Sequence, residues 1–165
     1  MRLTLLILVM LGNMVLKAQD KEPTNKHFWY TMETTASADE IWSVWTDVKK
    51  WKDWDTGLKD ASIKGEFGLG TRGTIISLEN RNAKFKVIEY EEGKSYTYKT
   101  KLPLGSLYVK RYLKTENGLT SFTHEVWFKG ITSGIFAKAI GKDFRDMLPD
   151  VLLNIKKNVE ADDSN

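Results

Sequence analysis

Apolar and polar residues change rhythm twice along this chain, and each change marks a different kind of element. Residues 28–35 are rich in aromatic and β-branched side chains and predict a strand. Behind it, Ile41, Val44, Trp45 and Val48 recur at helical spacing and define one buried face. Ser37 and Glu40 stand three apart just ahead of that face. They fit a capping box, with hydroxyl and carboxylate serving the unpaired N–H groups of a helix start. Trp51 and Trp54, at i and i+3, predict a second short helix that Asp55-Thr56-Gly57 ends. Beyond it the rhythm is that of strands, at residues 74–78, 84–90, 96–102, 107–113 and 120–128. Asn80-Arg81-Asn82, Glu92-Gly93-Lys94, Pro103-Leu104-Gly105 and Glu116-Asn117-Gly118 connect them, the last three with hairpin composition. Links this short require antiparallel pairing, because parallel strands need long crossovers.

The second change comes near residue 133. From there to about residue 160, Phe136, Ile140, Phe144, Met147, Leu148, Val151, Ile155 and Val159 follow a 3.6-residue period. Lys138, Lys142, Asp143, Arg145, Asp146, Lys156 and Lys157 lie opposite. A helix of that length extends about 40 Å, enough to cross a small domain. Pro149 is expected to kink it near the middle, since proline removes a hydrogen bond and crowds the preceding turn. Gly65, Gly68, Gly70 and Gly73 around Phe67 and Leu69 predict tight turns between short strands. With no helix behind them they do not form a phosphate loop.

The 165 residues have room for one domain with a real core. Residues 1–18 carry Arg2 and Lys17 and no acid, so beyond them 23 basic residues balance 22 acidic ones. That balance leaves no electrostatic footprint for nucleic acid. The lysines at Lys49, Lys50 and Lys52 and at Lys84 and Lys86 read as solvated surface. The chain has no cysteine, which excludes disulfides, thiolate catalysis and cysteine-held metals. Its two histidines, His27 and His124, lie far apart, so no metal site and no cofactor are expected.

The N-terminus reads as an address. A positive start at Arg2, the apolar run Leu3-Thr4-Leu5-Leu6-Ile7-Leu8-Val9-Met10-Leu11 and small Ala18 make a secretory signal peptide over residues 1–18. Nine residues are too few to span a bilayer comfortably. The chain is therefore expected to be exported, periplasmic or secreted, with no stable membrane insertion once the signal is removed. Leu16 and Lys17 sit awkwardly near the cut, so an uncleaved N-terminal anchor is the alternative. Residues 19–27 then read as a disordered lead-in, 28–160 as one domain and 161–165 as a solvated tail.

The order strand, two short helices, a run of antiparallel strands and one long helix resembles the START-like (Bet v 1-like, SRPBCC) superfamily. Within it the chain is similar to the polyketide cyclase/dehydrase and lipid-transport family. The resemblance rests on Ile41-Trp42-Ser43-Val44-Trp45-Thr46-Asp47 with Trp51 and Trp54-Asp55, on Gly65-Glu66-Phe67-Gly68-Leu69-Gly70-Thr71, and on Gly118-Leu119-Thr120-Ser121-Phe122-Thr123-His124 with Gly130. It implies an α+β helix-grip fold: a curved antiparallel sheet of about seven strands around the long C-terminal helix, with two short helices after strand 1 and a cavity between sheet and helix. None of these motifs is catalytic, so the resemblance speaks to fold more than to activity.

Candidate chemistry concentrates where apolar faces carry a polar residue. In 120–128, Phe122, His124, Val126 and Phe128 share one face, so His124 points inward. It reads either as a polar handle for a ligand or a general base, or as a core histidine whose nitrogens protein groups satisfy. Its candidate partners are Arg111, Glu89 and Asp55. Arg111 shares parity with Leu107, Val109 and Leu113, and its register leaves inward and outward facing both open. Glu89 shares parity with Phe85 and Val87, but a surface position is favoured because charges are seldom buried unpaired. Tyr96 and Tyr98 present rings and hydroxyls suited to an amphipathic ligand and equally to a core. Phe136, Ile140, Phe144 and Met147 close the space from the helix side, and Trp54 with Trp51 packs the short helices or frames the mouth. The favoured reading is a binding or carrier protein for a hydrophobic small molecule: a lipid, an isoprenoid or an aromatic metabolite. A cyclase or dehydratase with His124 as base is the alternative, although no full catalytic constellation is visible. A filled-core structural or regulatory module is the third.

Overall fold

A computed structural model describes residues 23–162. The expected signal peptide, residues 19–22 of the lead-in and the last residues of the tail lie outside the described residues. Seven strands form one sheet in the order β1-β7-β6-β5-β4-β3-β2, every neighbour antiparallel. They are β1 (His27–Thr34), β2 (Leu58–Ile63), β3 (Arg72–Ser77), β4 (Asn82–Glu91), β5 (Ser95–Leu102), β6 (Gly105–Glu116) and β7 (Leu119–Gly130). Between β1 and β2 come α1 (Ala38–Thr46), a 3-10 turn and α2 (Trp51–Trp54). After β7, α3 (Ser133–Phe136) leads through a π-helical stretch, Ala137–Gly141, into α4 (Lys142–Asp162). This is the helix-grip architecture: a curled half-barrel of seven antiparallel strands with a long C-terminal helix and two short helices after the first strand.

Local chemistry accounts for the boundaries. The capping box forms as the sequence expects: the Glu40 N–H donates to the Ser37 hydroxyl at 3.3 Å, and the Ser37 N–H donates to the Glu40 carboxylate at 2.7 Å. Ile41 and Trp45 then bury the inner face of α1. Strand β2 carries little hydrophobic signal, since Ala61 is its one buried residue. It was covered by no individual strand expectation for that reason.

The C-terminal helix departs from the expected pattern in its first turns. Ala137 and Gly141, rather than Phe136 and Ile140, are the buried positions of its first turns. The π stretch adds a residue to the turn and slips the inward stripe by one position. At Gly141 a Cβ would lie 3.0 Å from the Asn25 carbonyl and 3.4 Å from the Phe128 ring, so this turn is pressed close to β7. Pro149 lies inside α4, which continues past it to Asp162. Leu148, Val151, Leu152, Ile155 and Val159 are all buried, contributing about 2 kcal/mol each by removal from water. Helix α4 packs on β1, α1 and α2. The indoles of α2 therefore stand beneath it, next to the middle of the sheet.

Candidate functional site

One row of residues crosses the concave face of the sheet. Tyr30 pairs with His124, His124 with Arg111, Arg111 with Tyr96, and Tyr96 with Tyr90. Directly opposed residues share a face in antiparallel strands, so the register settles the question the sequence left open. Arg111 points inward and is completely buried, and His124 is 4% exposed. Glu89 points outward and is exposed, where it accepts a hydrogen bond from the Thr97 hydroxyl. The parity that grouped it with Phe85 and Val87 is broken by a register shift between Val87 and Glu89, which returns the inward face to Tyr90.

The Arg111 guanidinium sits in an aromatic cage. Its centre lies 4.7 Å from the ring centroids of both Trp51 and Trp54, 5.7 Å from Tyr96 and 5.9 Å from Tyr98. Such cation–π contacts strengthen when water is excluded. Nη1 donates to the Tyr96 hydroxyl. That hydroxyl in turn donates to the Trp45 carbonyl at 3.1 Å, which also accepts the Trp51 indole N–H at 2.9 Å. One edge of the guanidinium is thus fixed through Tyr96 to the end of α1.

Among the described residues the other edge has no hydrogen-bond partner. Arg111 Nε and Nη2, both ring nitrogens of His124 and the indole nitrogens of Trp54 and Trp45 are buried without a hydrogen bond. Buried polar atoms are ordinarily paired, and a cationic group left so is especially costly. The electrostatics agree with a dry interior. Burial holds His124 well below the usual imidazole value, with the charge of Arg111 acting the same way. Burial raises the Asp55 carboxyl, against the pull of Arg111 and of a hydrogen bond from the Gly57 N–H. It also pushes the Tyr96 hydroxyl up to about 12 and raises Tyr98.

Of the expected site residues, Tyr96, Tyr98, Phe85, Phe122, Val126 and Trp54 belong to one contiguous core, and His124 and Arg111 are buried with them. Phe136, Ile140, Phe144 and Met147 pack against that core half-buried from the helix side. The sequence expects an empty space under the C-terminal helix. At its centre the structure places Trp51 and Trp54, drawn in by the cation beneath them, and the grooves lie at the flanks. One, of about 560 Å³, runs between α1 and the β2–β3 loop and is lined by Trp42, Thr46, Lys49, Phe67, Tyr90 and Glu92 among others. Another, of about 790 Å³, has Ile63, Gly73, Phe85, Thr100 and Leu102 among its lining residues. Phe67 divides the first groove from the cage, its ring 4.7 Å from that of Tyr96. The roles of Phe67 and of the Trp45 carbonyl were not read from sequence. A lone aromatic among glycines and a main-chain acceptor carry no periodic signal.

Chemically, the interior offers guanidinium N–H donors and a neutral imidazole between aromatic walls. That set can bind an oxygen acceptor attached to an apolar body. Among the described residues, no three His, Asp or Glu side chains cluster as a metal site would require.

In three-dimensional comparison the chain is similar to the Helicobacter pylori protein jhp0584, with a TM-score of 0.69 at 9% identity over 96% of this chain and 99% of that one. It is also similar to norcoclaurine synthase from Thalictrum flavum, solved in complex with dopamine and hydroxybenzaldehyde, with a TM-score of 0.62 at 19% identity over 82% and 87%. Ara h 8.0201 aligns with a TM-score of 0.65 at 14% identity over 82% and 97%. These likenesses establish a shared fold. No curated protein matches the chain in sequence. The family described as polyketide cyclase / dehydrase and lipid transport matches residues 27–160. On that match, the chain belongs to this family, within the START-like superfamily.

Proposed function

We propose that this protein is an exported carrier for an apolar small molecule that bears a carbonyl or anionic oxygen, which it holds against Arg111 and His124. The observation that carries the reading is the buried, half-partnered guanidinium: Nε and Nη2 have no acceptor, although the residue is fully enclosed. An oxygen acceptor reaching in from the flank groove would pair those donors, its apolar tail lying along Trp42, Phe67 and Tyr90. Phe67 and the glycine-rich loop stand between the flank groove and this point, so the ligand enters by displacing that ring. The family's range, which spans lipid transport and cyclisation, supports a hydrophobic ligand. Export rests on the sequence pattern of residues 1–18.

A catalytic reading has one observation in its favour. His124 is held neutral and keeps both ring nitrogens free, as a general base requires. Among the described residues no carboxylate is hydrogen-bonded to its ring, which favours binding over turnover.

The experiment is titration with oleate and with its methyl ester, followed by displacement of the fluorescent probe anilinonaphthalene sulfonate. Oleate is expected to bind, and Arg111→Met to weaken it about tenfold or more, the loss of a hydrogen bond to a charged group. Equal binding of oleate by wild type and Arg111→Met would remove Arg111 from the site.

A further inference from the structure

We infer that one end of the sheet is a docking surface for an anionic lipid bilayer. Among the described residues nothing covers three aliphatic side chains there: Leu104 is 72% exposed, Ile131 87% and Ile135 69%. They are neighbours in the fold. The Ile131 N–H donates to the Leu104 carbonyl at 3.0 Å, and Gly105 pairs with Gly130 on the adjacent strands. The Thr132 hydroxyl donates to the Pro103 carbonyl, tying the β5–β6 turn to the start of α3. Leu104 occupies the second central position of that turn at φ 53°, in the left-handed region that glycine or asparagine adopts at less cost. A leucine held there presents its side chain outward from a rigid turn.

Charge surrounds this apolar tip with one sign. The stretches 93–115 and 126–142, which supply both strand ends, contain no acidic residue. Lys101 precedes the tip on β5, Lys129 precedes it on β7, and Lys84 lies on the neighbouring strand; all three are exposed. Among the described residues none of the three forms an ion pair. Lys26 adds a fourth cation beside Gly134, at the base of Ile135. The opposite end of the sheet mixes the two signs instead, with Lys94 paired to Glu91 and Lys114 to Glu116.

Protruding aliphatic side chains ringed by lysines fit a surface that is apolar within and anionic at its face. A bilayer containing anionic lipid is such a surface. A nucleic acid would satisfy the lysines and leave Leu104, Ile131 and Ile135 in water, and an acidic protein would need a partner groove for each. Among the described residues no helix is long and apolar enough to cross a membrane, so the contact is peripheral and reversible. The surface lies away from Arg111 and does not depend on what the interior holds.

The test exploits the absence of cysteine. In the full chain, Leu104→Cys and, at the opposite end, Leu69→Cys are each labelled with an environment-sensitive nitrobenzoxadiazole dye. Each is mixed with vesicles of phosphatidylcholine alone or with phosphatidylglycerol added. A blue shift is expected at position 104 and not at 69, only with phosphatidylglycerol, and is expected to fade as salt is raised. Lys101→Glu combined with Lys129→Glu is expected to lower partitioning roughly tenfold or more. Three results would each overturn the proposal. They are equal dye response at both positions, partitioning unchanged by the two reversals so that residues 1–18 alone account for it, and tighter binding to polyuridylate than to the vesicles. The dye at position 104 reports contact directly, so the proposal stays testable even where a charge reversal disturbs folding.

Discussion

Arg111 and His124 face each other across β6 and β7, a guanidinium and an imidazole both sealed from solvent on the same face of the sheet. Two nitrogen-rich groups this close can both be accommodated only if one stays neutral. Burial, with the charge of Arg111 acting the same way, holds the histidine well below its ordinary value and so favours its neutral form.

Acid should destabilise the fold through His124. Its folded pKa is depressed, so below the ordinary value of 6.5 the unfolded chain takes up a proton that the folded chain refuses. Stability from this residue is therefore full above that value and falls as pH drops below it, by up to about 1.4 kcal/mol per pH unit. Asp55 acts in the opposite sense. Its carboxyl is raised, and the penalty for burying its charge is relieved as pH falls through that raised value. Urea midpoints of wild type and His124→Phe between about pH 7.5 and 5 should converge in slope only above 6.5. Parallel curves throughout would show that His124 does not titrate on unfolding.

Replacing Arg111 should separate stability from binding. A methionine fills the same space between the Trp51 and Trp54 rings and removes a buried cation whose desolvation is only partly offset. Exchanging all members of a buried charged group for uncharged residues is commonly neutral or stabilising by about 1–4 kcal/mol, whereas removing Arg111 alone leaves the buried Asp55 carboxyl without the cation that attracts it. Arg111→Met combined with Asp55→Asn is therefore expected to melt no lower than wild type, while the oleate affinity drops already in Arg111→Met. A loss of more than about 3 kcal/mol would instead make the cation–π cage a principal support of the fold.

Two glycines should respond in opposite ways to alanine. A Cβ at Gly73 would lie 2.4 Å from the Phe85 ring and 2.5 Å from the Ser62 carbonyl, so Gly73→Ala should cost about 1–3 kcal/mol through overpacking. At Gly68 nothing lies within 4 Å, and Gly68→Ala should stabilise by about 0.4–1 kcal/mol by restricting the unfolded chain. Chemical denaturation of the pair checks both signs.

The helix start at Ser37 supplies a local control. Ser37→Ala removes the side-chain half of the capping box and should cost about 0.5–2 kcal/mol. Its oleate affinity should not change, since Ser37 is exposed and away from the cage. A parallel loss of binding would couple the position of α1 to the site through the Trp45 carbonyl.

Strong local signals made much of this architecture legible. Ser37 and Glu40 marked a helix start, and alternation along Phe122, His124, Val126 and Phe128 placed His124 inside. Where information was nonlocal, the sequence was silent. The facing of Arg111 depended on its partners Tyr96 and His124, and the slip after Val87 returned Tyr90 to the interior and left Glu89 outside. The π turn at Ala137–Gly141 shifted the helix stripe because a glycine had to meet the Phe128 ring. The filling of the expected void by Trp51 and Trp54 follows from cation–π attraction to Arg111, which no linear pattern encodes.

The pairing of β1 with β7 has a kinetic meaning of its own. His27–Thr34 must wait for residues 120–127 before it can find its neighbour, so the sheet's first edge is sealed last during synthesis. Closing so distant a pair is entropically slow. Until then the nascent polypeptide lacks its finished tertiary lock.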